Sequence, residues 1–123
     1  MIETEINLPE IPDSSNSVQK GDRDKSRIDL IEPCFIFQMG EVMAAGAAKY
    51  GDRNWEAGTD WGRYYAAAQR HMNLWWDSVM DDIDDETRQS HLIHAACCIM
   101  ILYAYQRSAV GNDDRSRMDC QCR

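Results

Sequence analysis

The amino-acid sequence predicts an all-α protein, a small helical bundle with disordered N-terminal and C-terminal tails. Three segments repeat apolar residues at the three-to-four-residue spacing of a helix, and each is bounded by residues that begin or end helices. No segment shows the alternation of apolar and polar residues that is typical of a strand. The third segment is apolar on almost every side, which is typical of a helix at the centre of a bundle or of an oligomer. We therefore expect oligomerisation to complete the fold.

Length and charge limit the possible functions. The 123 residues suffice for one domain with a modest core, and the formal net charge of -8 makes the chain acidic. An acidic surface repels nucleic-acid backbones and anionic membranes, and the sequence has no basic stripe and no run long enough to cross a bilayer. We therefore expect neither nucleic acid nor a membrane as a partner.

The five cysteines are odd in number and two are adjacent, which favours reduced thiols and a cytoplasmic protein.

Composition divides the chain into three parts. Residues 1–26 are mostly polar and charged and predict a flexible arm, residues 27–110 predict the folded domain, and residues 111–123 predict a second polar tail. The tail contains Cys120-Gln121-Cys122, a pair that could chelate a metal but is weak evidence alone.

The first helix is predicted from about Pro33 to Tyr50, because proline suits a first helical turn and Gly51 ends the segment. Glu41 lies on a stripe of small and apolar residues, where burying an unpaired carboxylate is costly. We therefore expect Glu41 to be paired, protonated or metal-bound. The stripe consists of Phe37, Glu41, Ala44, Ala45 and Ala48.

The other two helices also have recognisable starts. The second is predicted from about Trp61 to Val79, with Asp60 as its N-cap, and the third from about His91 to Ser108, with Ser90 as its N-cap. His71 lies on the apolar stripe of the second helix, a position more typical of a hydrogen-bonded core histidine than of a functional one.

An acidic run directly before the third helix is the strongest candidate for chemistry. Asp82, Asp84 and Glu86 alternate along it, a spacing with which a turning backbone can direct several oxygens at one cation. His91 and His94 follow one helical turn apart, so they are neighbours that could bind a metal or transfer protons. From spacing alone the plainer alternatives are favoured: a solvated charge run ahead of a helix, and histidines satisfied in the core.

Positive and aromatic side chains occur at the end of the first predicted helix, in the loop after it and in the second predicted helix. Lys49, Arg53 and Arg70 could contact phosphate, although salt bridges within an acidic chain are their more usual role. Trp55 and Trp61 flank the loop after the first helix and could stack on a nucleobase or simply close the core.

Five separated motifs occur in a fixed order along the chain. They are Lys25-Ser26-Arg27-Ile28-Asp29-Leu30-Ile31, the block from Gly46 to Trp55, Arg70-His71, Asp82-x-Asp84-x-Glu86-Thr87, and His91-Leu92-x-His94-Ala95-Ala96. This succession resembles the phage and bacterial dATP/dGTP diphosphohydrolase domain family, which is loosely related to the MazG-like all-α nucleotide pyrophosphohydrolases. The resemblance covers about residues 25–107.

The resemblance implies a homo-oligomer, a dimer or tetramer, that hydrolyses dGTP or dATP to the monophosphate and pyrophosphate with Mg²⁺ or Mn²⁺. A phage-encoded chain would adjust the nucleotide pool in the host cytoplasm. Residue chemistry and resemblance together predict three groups of site residues. The metal ligands are Glu41, Asp82, Asp84 and Glu86, and the catalytic residues are Glu41, His91 and His94. The substrate-binding residues are Lys49, Arg53, Asn54, Trp55, Arg70 and His71.

The chain departs from the wider MazG-like pattern, which marks its site with E-x-x-E on one helix and E-x-x-D on another. Here Glu41 is followed three positions on by Ala44, and the second pair is His91-x-x-His94. The metal shell therefore has to be assembled differently, with carboxylates of the acidic run. The family's loop also tends to have proline and glycine where this chain has Asp85 and Arg88.

Two alternatives to an enzyme remain open from the sequence. One is a nucleotide-binding or interaction protein on a degenerate pyrophosphohydrolase fold, which the missing second glutamate of E-x-x-E favours. The other is a purely structural helical module whose apolar third helix drives oligomerisation.

Overall fold

Three α-helices make up most of the computed structural model, which describes residues 18–77 and 81–118. The helices are α1 (Pro33–Tyr50), α2 (Trp61–Trp76) and α3 (His91–Ser108), and two short 3-10 helices cover Ile28–Leu30 and Asn54–Ala57. No strand occurs in the described residues, which confirms the all-α prediction. The bounds of α1 and α3 are those predicted. Helix α2 begins at the predicted Trp61 but ends at Trp76, so the predicted continuation through Asp77 is wrong, and Val79 itself lies outside the described residues.

The chain separates into two compact units, Met1–Ile31 and Glu32–Arg123. In the described part of the first, Arg27 binds the Asp29 carboxylate through two hydrogen bonds of 2.8 and 2.9 Å. All three α-helices belong to the second unit. Most of the predicted N-terminal arm and the Cys120–Cys122 pair lie outside the described residues.

Local hydrogen bonds explain where α1 and α3 begin. Glu32 precedes α1, and its carboxylate accepts hydrogen bonds from the backbone amides of Cys34 (3.2 Å) and Phe35 (2.8 Å). Ser90 precedes α3, and its hydroxyl accepts from the amide of Leu92 at 3.1 Å, which confirms the predicted N-cap.

The start of α2 is capped from a distant part of the chain. Asp60 is the N-cap residue of α2, as predicted, but its side chain accepts a hydrogen bond from the Asn112 side-chain amide and none from an α2 backbone amide. The amide of Gly62 donates to Asp114, 52 residues further on, at 2.8 Å. The Trp61 indole also donates to the Val110 carbonyl at 2.8 Å. The chain after α3 therefore returns to the beginning of α2.

Most of the core lies between α2 and α3. All of the fully buried side chains in the described residues belong to these helices: Ala68, His91, Ile93, Ala95, Cys97, Ile101 and Tyr105. Burial raises the pKa of the Cys97 thiol to about 11, and Cys97 is a free cysteine, as predicted. No helix of the described chain is long and apolar enough to cross a membrane.

Helix α1 is the exposed member of the three. It contributes no buried residue, and Phe37 on its predicted inward stripe is 76% exposed. Glu41, Ala44 and Ala48 on the same stripe are exposed as well. The expected burial of this stripe is therefore wrong for the single chain.

Candidate metal centre and adjoining clefts

All three histidines of the chain meet between α2 and α3. The Nδ1 atoms of His71 and His91 are 2.9 Å apart, and the rings of His71 and His94 stack with centroids 4.5 Å apart. His91 is buried, and the other two are half-buried. The one-turn spacing of His91 and His94 places both on the side of α3 that meets His71.

The acidic loop before α3 folds back on itself and presents one carboxylate to these rings. The Asp84 amide donates to the Gln89 carbonyl at 2.9 Å, and the His91 amide donates to the Asp82 carbonyl at 2.9 Å. The Asp84 carboxylate is then 3.7 Å from His94 Nε2. Asp84 is half-buried.

Hydrogen bonds keep Asp84 ionised. Burial alone would raise the pKa of Asp84, but the amide of Thr87 donates to Oδ2 at 3.0 Å, and His94 lies nearby. The Thr87 hydroxyl and the Glu86 amide also donate to Oδ2, and the net result is a pKa below the ordinary value. A carboxylate that stays charged is suited to a cation.

Burial favours the neutral form of His71 and His94. It lowers the pKa of His71 to about 4, with a further contribution from His94 and His91 beside it. The pKa of His94 is lowered by burial too, although Asp84 opposes the shift. Neutral imidazoles can present nitrogen lone pairs to a metal, whereas protonated ones cannot.

The geometry of this cluster fits a divalent cation. One ligand atom from each of His71, Asp84 and His91 lies within 4.8 Å of the other two. Neighbouring ligands of an octahedral ion with bonds of about 2.1 Å lie about 3 Å apart. The 2.9 Å between the two Nδ1 atoms is close to that separation, and without an ion it is the length of a hydrogen bond between the two rings.

Thr87 connects the carboxylate to the third histidine. Its hydroxyl lies 2.6 Å from His94 Nε2 and 3.3 Å from Asp84 Oδ2, and it accepts from the Gln89 amide at 3.2 Å. The hydroxyl therefore helps to hold the His94 ring in place. Thr87 is not among the predicted site residues. The Asp-x-x-Thr spacing, which often marks a local side-chain turn, is the sequence signal that could have indicated this role.

Two clefts share a wall made of Tyr50, Asn54, Trp55 and Tyr64, and one of them is lined by a histidine of the α2–α3 group. The α1–α3 cleft, about 620 Å³, is lined by residues of α1 and α3 together with the loop after α1, and His94 belongs to its lining. The α2 cleft, about 810 Å³, runs along α2 past Arg63 and Arg70. The Tyr105 hydroxyl donates to the Trp55 carbonyl and so anchors the shared wall to the core.

Comparisons with known proteins identify the family of the chain. A family model described as "dATP/dGTP diphosphohydrolase, N-terminal" matches residues 15–115. The chain belongs to this family. A curated relative, the dATP/dGTP diphosphohydrolase of Salmonella phage PMBT28, is 35% identical over 96 residues, which are 78% of this chain and 32% of the relative. The chain thus spans about a third of the length of the curated relative that it matches. No solved structure matches the chain.

The dATP/dGTP diphosphohydrolase resemblance drawn from the motifs is therefore confirmed. In the acidic loop, Arg88 adopts a left-handed backbone conformation with φ of 61°. That conformation costs a non-glycine residue roughly 1–2 kcal/mol. The Arg88 amide donates to the Asp84 carbonyl at 2.9 Å, so the turn needed to present Asp84 is kept.

The predicted site residues of this family member fall into two groups. Of the four predicted metal ligands, Asp84 belongs to the cluster, where His71 and His91 join it. Glu86 instead binds Lys49 Nζ at 2.6 Å, while Glu41 and Asp82 are exposed and lie outside the cluster. Predicted substrate-binding residues line the clefts: Arg53, Asn54 and Trp55 the α1–α3 cleft, and Asn54, Trp55 and Arg70 the α2 cleft.

Proposed function

We propose that the chain hydrolyses a purine deoxynucleoside triphosphate, dGTP or dATP, to the monophosphate and pyrophosphate. The observation that carries this proposal is the convergence of His71, Asp84 and His91, together with a cleft of about 620 Å³ that is lined by His94, whose ring stacks on His71. The activity named for the phage relative supports the substrate class. The chain would then adjust a nucleotide pool, in a host cell if it is phage-encoded.

His71, Asp84 and His91 would hold the divalent ion. Mg²⁺ prefers oxygen ligands, whereas imidazole nitrogen suits transition metals, so two imidazoles and one carboxylate favour Mn²⁺ over Mg²⁺. A bound ion would neutralise phosphate charge and lower the pKa of a water molecule.

The remaining residues would position the substrate and move the proton. His94 lines the α1–α3 cleft and is held by Thr87, so its imidazole is placed to accept the proton of the attacking water. The water oxygen bonds to the α-phosphorus, the bond from this phosphorus to the bridging oxygen breaks, and pyrophosphate leaves with that electron pair. Asn54 and Trp55 would hold the base or sugar.

Positive side chains would contact the phosphates. Arg53 and Arg70 each line a cleft, and their guanidinium groups can bind phosphate oxygens. Lys49, predicted to do the same, is paired with Glu86 and would have to leave that carboxylate to reach substrate. Glu41, which the sequence predicts as a ligand, lies outside the cluster of the single chain, so the metal centre proposed here does not include it.

We also propose that the protein is a homo-oligomer, a dimer or tetramer, in which a second copy covers α1. Ile36 and Phe37 on this helix are 48% and 76% exposed. Neighbouring large apolar side chains left in water are typical of an interaction site. The net charge of -8 argues against nucleic acid as the partner.

A nucleotide panel tests the proposed reaction. Purified full-length chain is incubated with each deoxynucleoside triphosphate and Mn²⁺ or Mg²⁺, and products are separated by ion exchange. We expect deoxynucleoside monophosphate and pyrophosphate from dGTP or dATP, with faster turnover in Mn²⁺. Tight nucleotide binding without turnover by folded protein would contradict the proposal and favour a nucleotide-binding protein on the same fold.

A further inference from the structure

The α2 cleft has a positive lining in an otherwise acidic protein. It contains Arg63 and Arg70 and no aspartate or glutamate, although the chain has 21 acidic residues. Within residues 18–77 and 81–118, no carboxylate lies within 4.0 Å of either guanidinium. By contrast, Arg115 and Arg117 both bind Asp113 at 2.8 and 2.7 Å. The positive charge of the α2 cleft is therefore available to an external anion.

Helical spacing places the two arginines on one face of α2. They are seven residues apart, which is two turns and about 10 Å along the helix axis. Ala66 and Ala67 lie between them and also line the cleft, so small side chains leave the space between the arginines open. The Arg63 guanidinium makes one long contact, 3.5 Å, to the Thr59 hydroxyl.

The α2 cleft borders the α1–α3 cleft, and one of its residues is next in sequence to the metal cluster. Arg70 directly precedes His71, whose ring contacts both other histidines. Asn54 and Trp55 form a wall common to the α2 cleft and to the α1–α3 cleft that His94 lines. An anion between the two arginines would thus lie next to Asn54 and Trp55, the residues that the α2 cleft shares with the α1–α3 cleft.

We propose that Arg63 and Arg70 together bind the pyrophosphate portion of the substrate, the part that leaves in the reaction. This inference rests on the proposed function and adds Arg63 to the site. Two guanidinium groups can each donate a pair of hydrogen bonds, which suits two adjacent phosphate groups. Because the leaving pyrophosphate gains negative charge as the bond to the α-phosphorus breaks, two fixed cations also stabilise its departure.

Steady-state kinetics of the full chain with Mn²⁺ test the role of Arg63. We expect Arg63→Gln to raise both the KM for the triphosphate and the inhibition constant of inorganic pyrophosphate by about tenfold or more. Arg63→Lys keeps the charge but loses the planar guanidinium that donates two parallel hydrogen bonds, so we expect an intermediate effect. Arg107→Gln is the matched control, because Arg107 is an exposed arginine at the end of α3 that lines neither cleft, and it changes both constants less than about twofold.

Two results would overturn this assignment. One is an active Arg63→Gln variant in which both constants stay within about twofold of the parent values. The other is inhibition by pyrophosphate that is not competitive with the triphosphate, which would indicate a separate anion site. Titration calorimetry measures the affinity of the α2 cleft for inorganic pyrophosphate without turnover. Pyrophosphate binding that depends on Arg63 in a chain without hydrolysis supports the anion cleft and overturns only the proposed reaction.

Discussion

Helices α1 and α3 are both 18 residues long and rich in apolar side chains, yet they occupy opposite environments. Helix α3 packs along α2, holds six of the buried residues and carries two of the clustered histidines. Helix α1 has no buried residue, and its one predicted metal ligand, Glu41, faces outward. An apolar helical stripe therefore identifies a surface that needs a partner, but does not say whether the partner lies in the same chain.

A matched pair of substitutions in the two regions should give the largest contrast. Asp84→Asn removes the charge of the one carboxylate in the cluster, and we expect kcat to fall at least 100-fold, because loss of even an outer-shell partner typically costs about 10–100-fold. Glu41→Gln makes the same chemical change on α1 and should alter kcat less than about threefold. An equal loss in both variants would indicate that Glu41 of a second copy also binds the metal.

Thr87 should show a smaller effect that depends on its hydroxyl. Thr87→Val keeps the shape but removes the 2.6 Å contact with His94, and we expect kcat to fall about tenfold with little change in KM. Thr87→Ser retains the hydroxyl and should keep most of the activity. If valine and serine behave alike in steady-state kinetics, the hydroxyl does not position His94.

Stability should depend on pH through the α2–α3 region. In the unfolded chain His71 has its ordinary pKa of 6.5, and in the folded protein the pKa is about 4. The unfolded state therefore binds more protons between these values, so the free energy of unfolding falls as the pH is lowered from 6.5 towards 4. Urea denaturation in metal-free buffer measures this slope.

His71→Gln is the control for that titration. The variant should have a shallower slope over the same pH window, because one of the groups that titrates differently in the two states is gone. A parent protein whose stability is constant or rises on acidification would contradict the burial of these histidines.

The smallest effect on folding is expected in α1. Phe37→Ser replaces an exposed side chain, so the free energy of unfolding at low protein concentration should change by less than about 0.5 kcal/mol. Sedimentation velocity should nevertheless shift towards the monomer, because the substituted side chain belongs to the proposed contact surface. Tyr65→Ser removes an aromatic of α2 that is 59% exposed and should leave assembly unchanged. Unaltered sedimentation of the Phe37 variant would place the interface elsewhere.

Local sequence signals predicted most of the fold. Pro33 and Gly51 define α1, and Ser90 caps α3, because each acts within a few residues of its own position. The cap of α2 by Asp114 could not be read in this way, since the partner lies 52 residues further on. Such contacts depend on how the helices pack, which helical spacing leaves open.

The residue types of the candidate site could be predicted from the sequence, but not which of those residues lie next to one another. The sequence singled out the acidic run and the histidines, yet spacing alone cannot tell which of three alternating carboxylates faces α3. The left-handed turn at Arg88 and the hydrogen bonds from Thr87 select Asp84. His71 was expected to bind substrate, but its ring meets His91, 20 residues away, only because α2 and α3 pack together.

Electron spin-echo spectroscopy of Mn²⁺ bound to the full chain tests the central claim most directly, namely that α2 and α3 together form the metal centre. Spectra are compared between natural-abundance protein and protein carrying ¹⁵N-labelled histidine, with His91→Ala as the control. We predict nitrogen couplings from imidazole that change on labelling and weaken in the variant. Bound Mn²⁺ with active hydrolysis but no nitrogen coupling that responds to the histidine label would contradict the assignment of His71 and His91 as ligands.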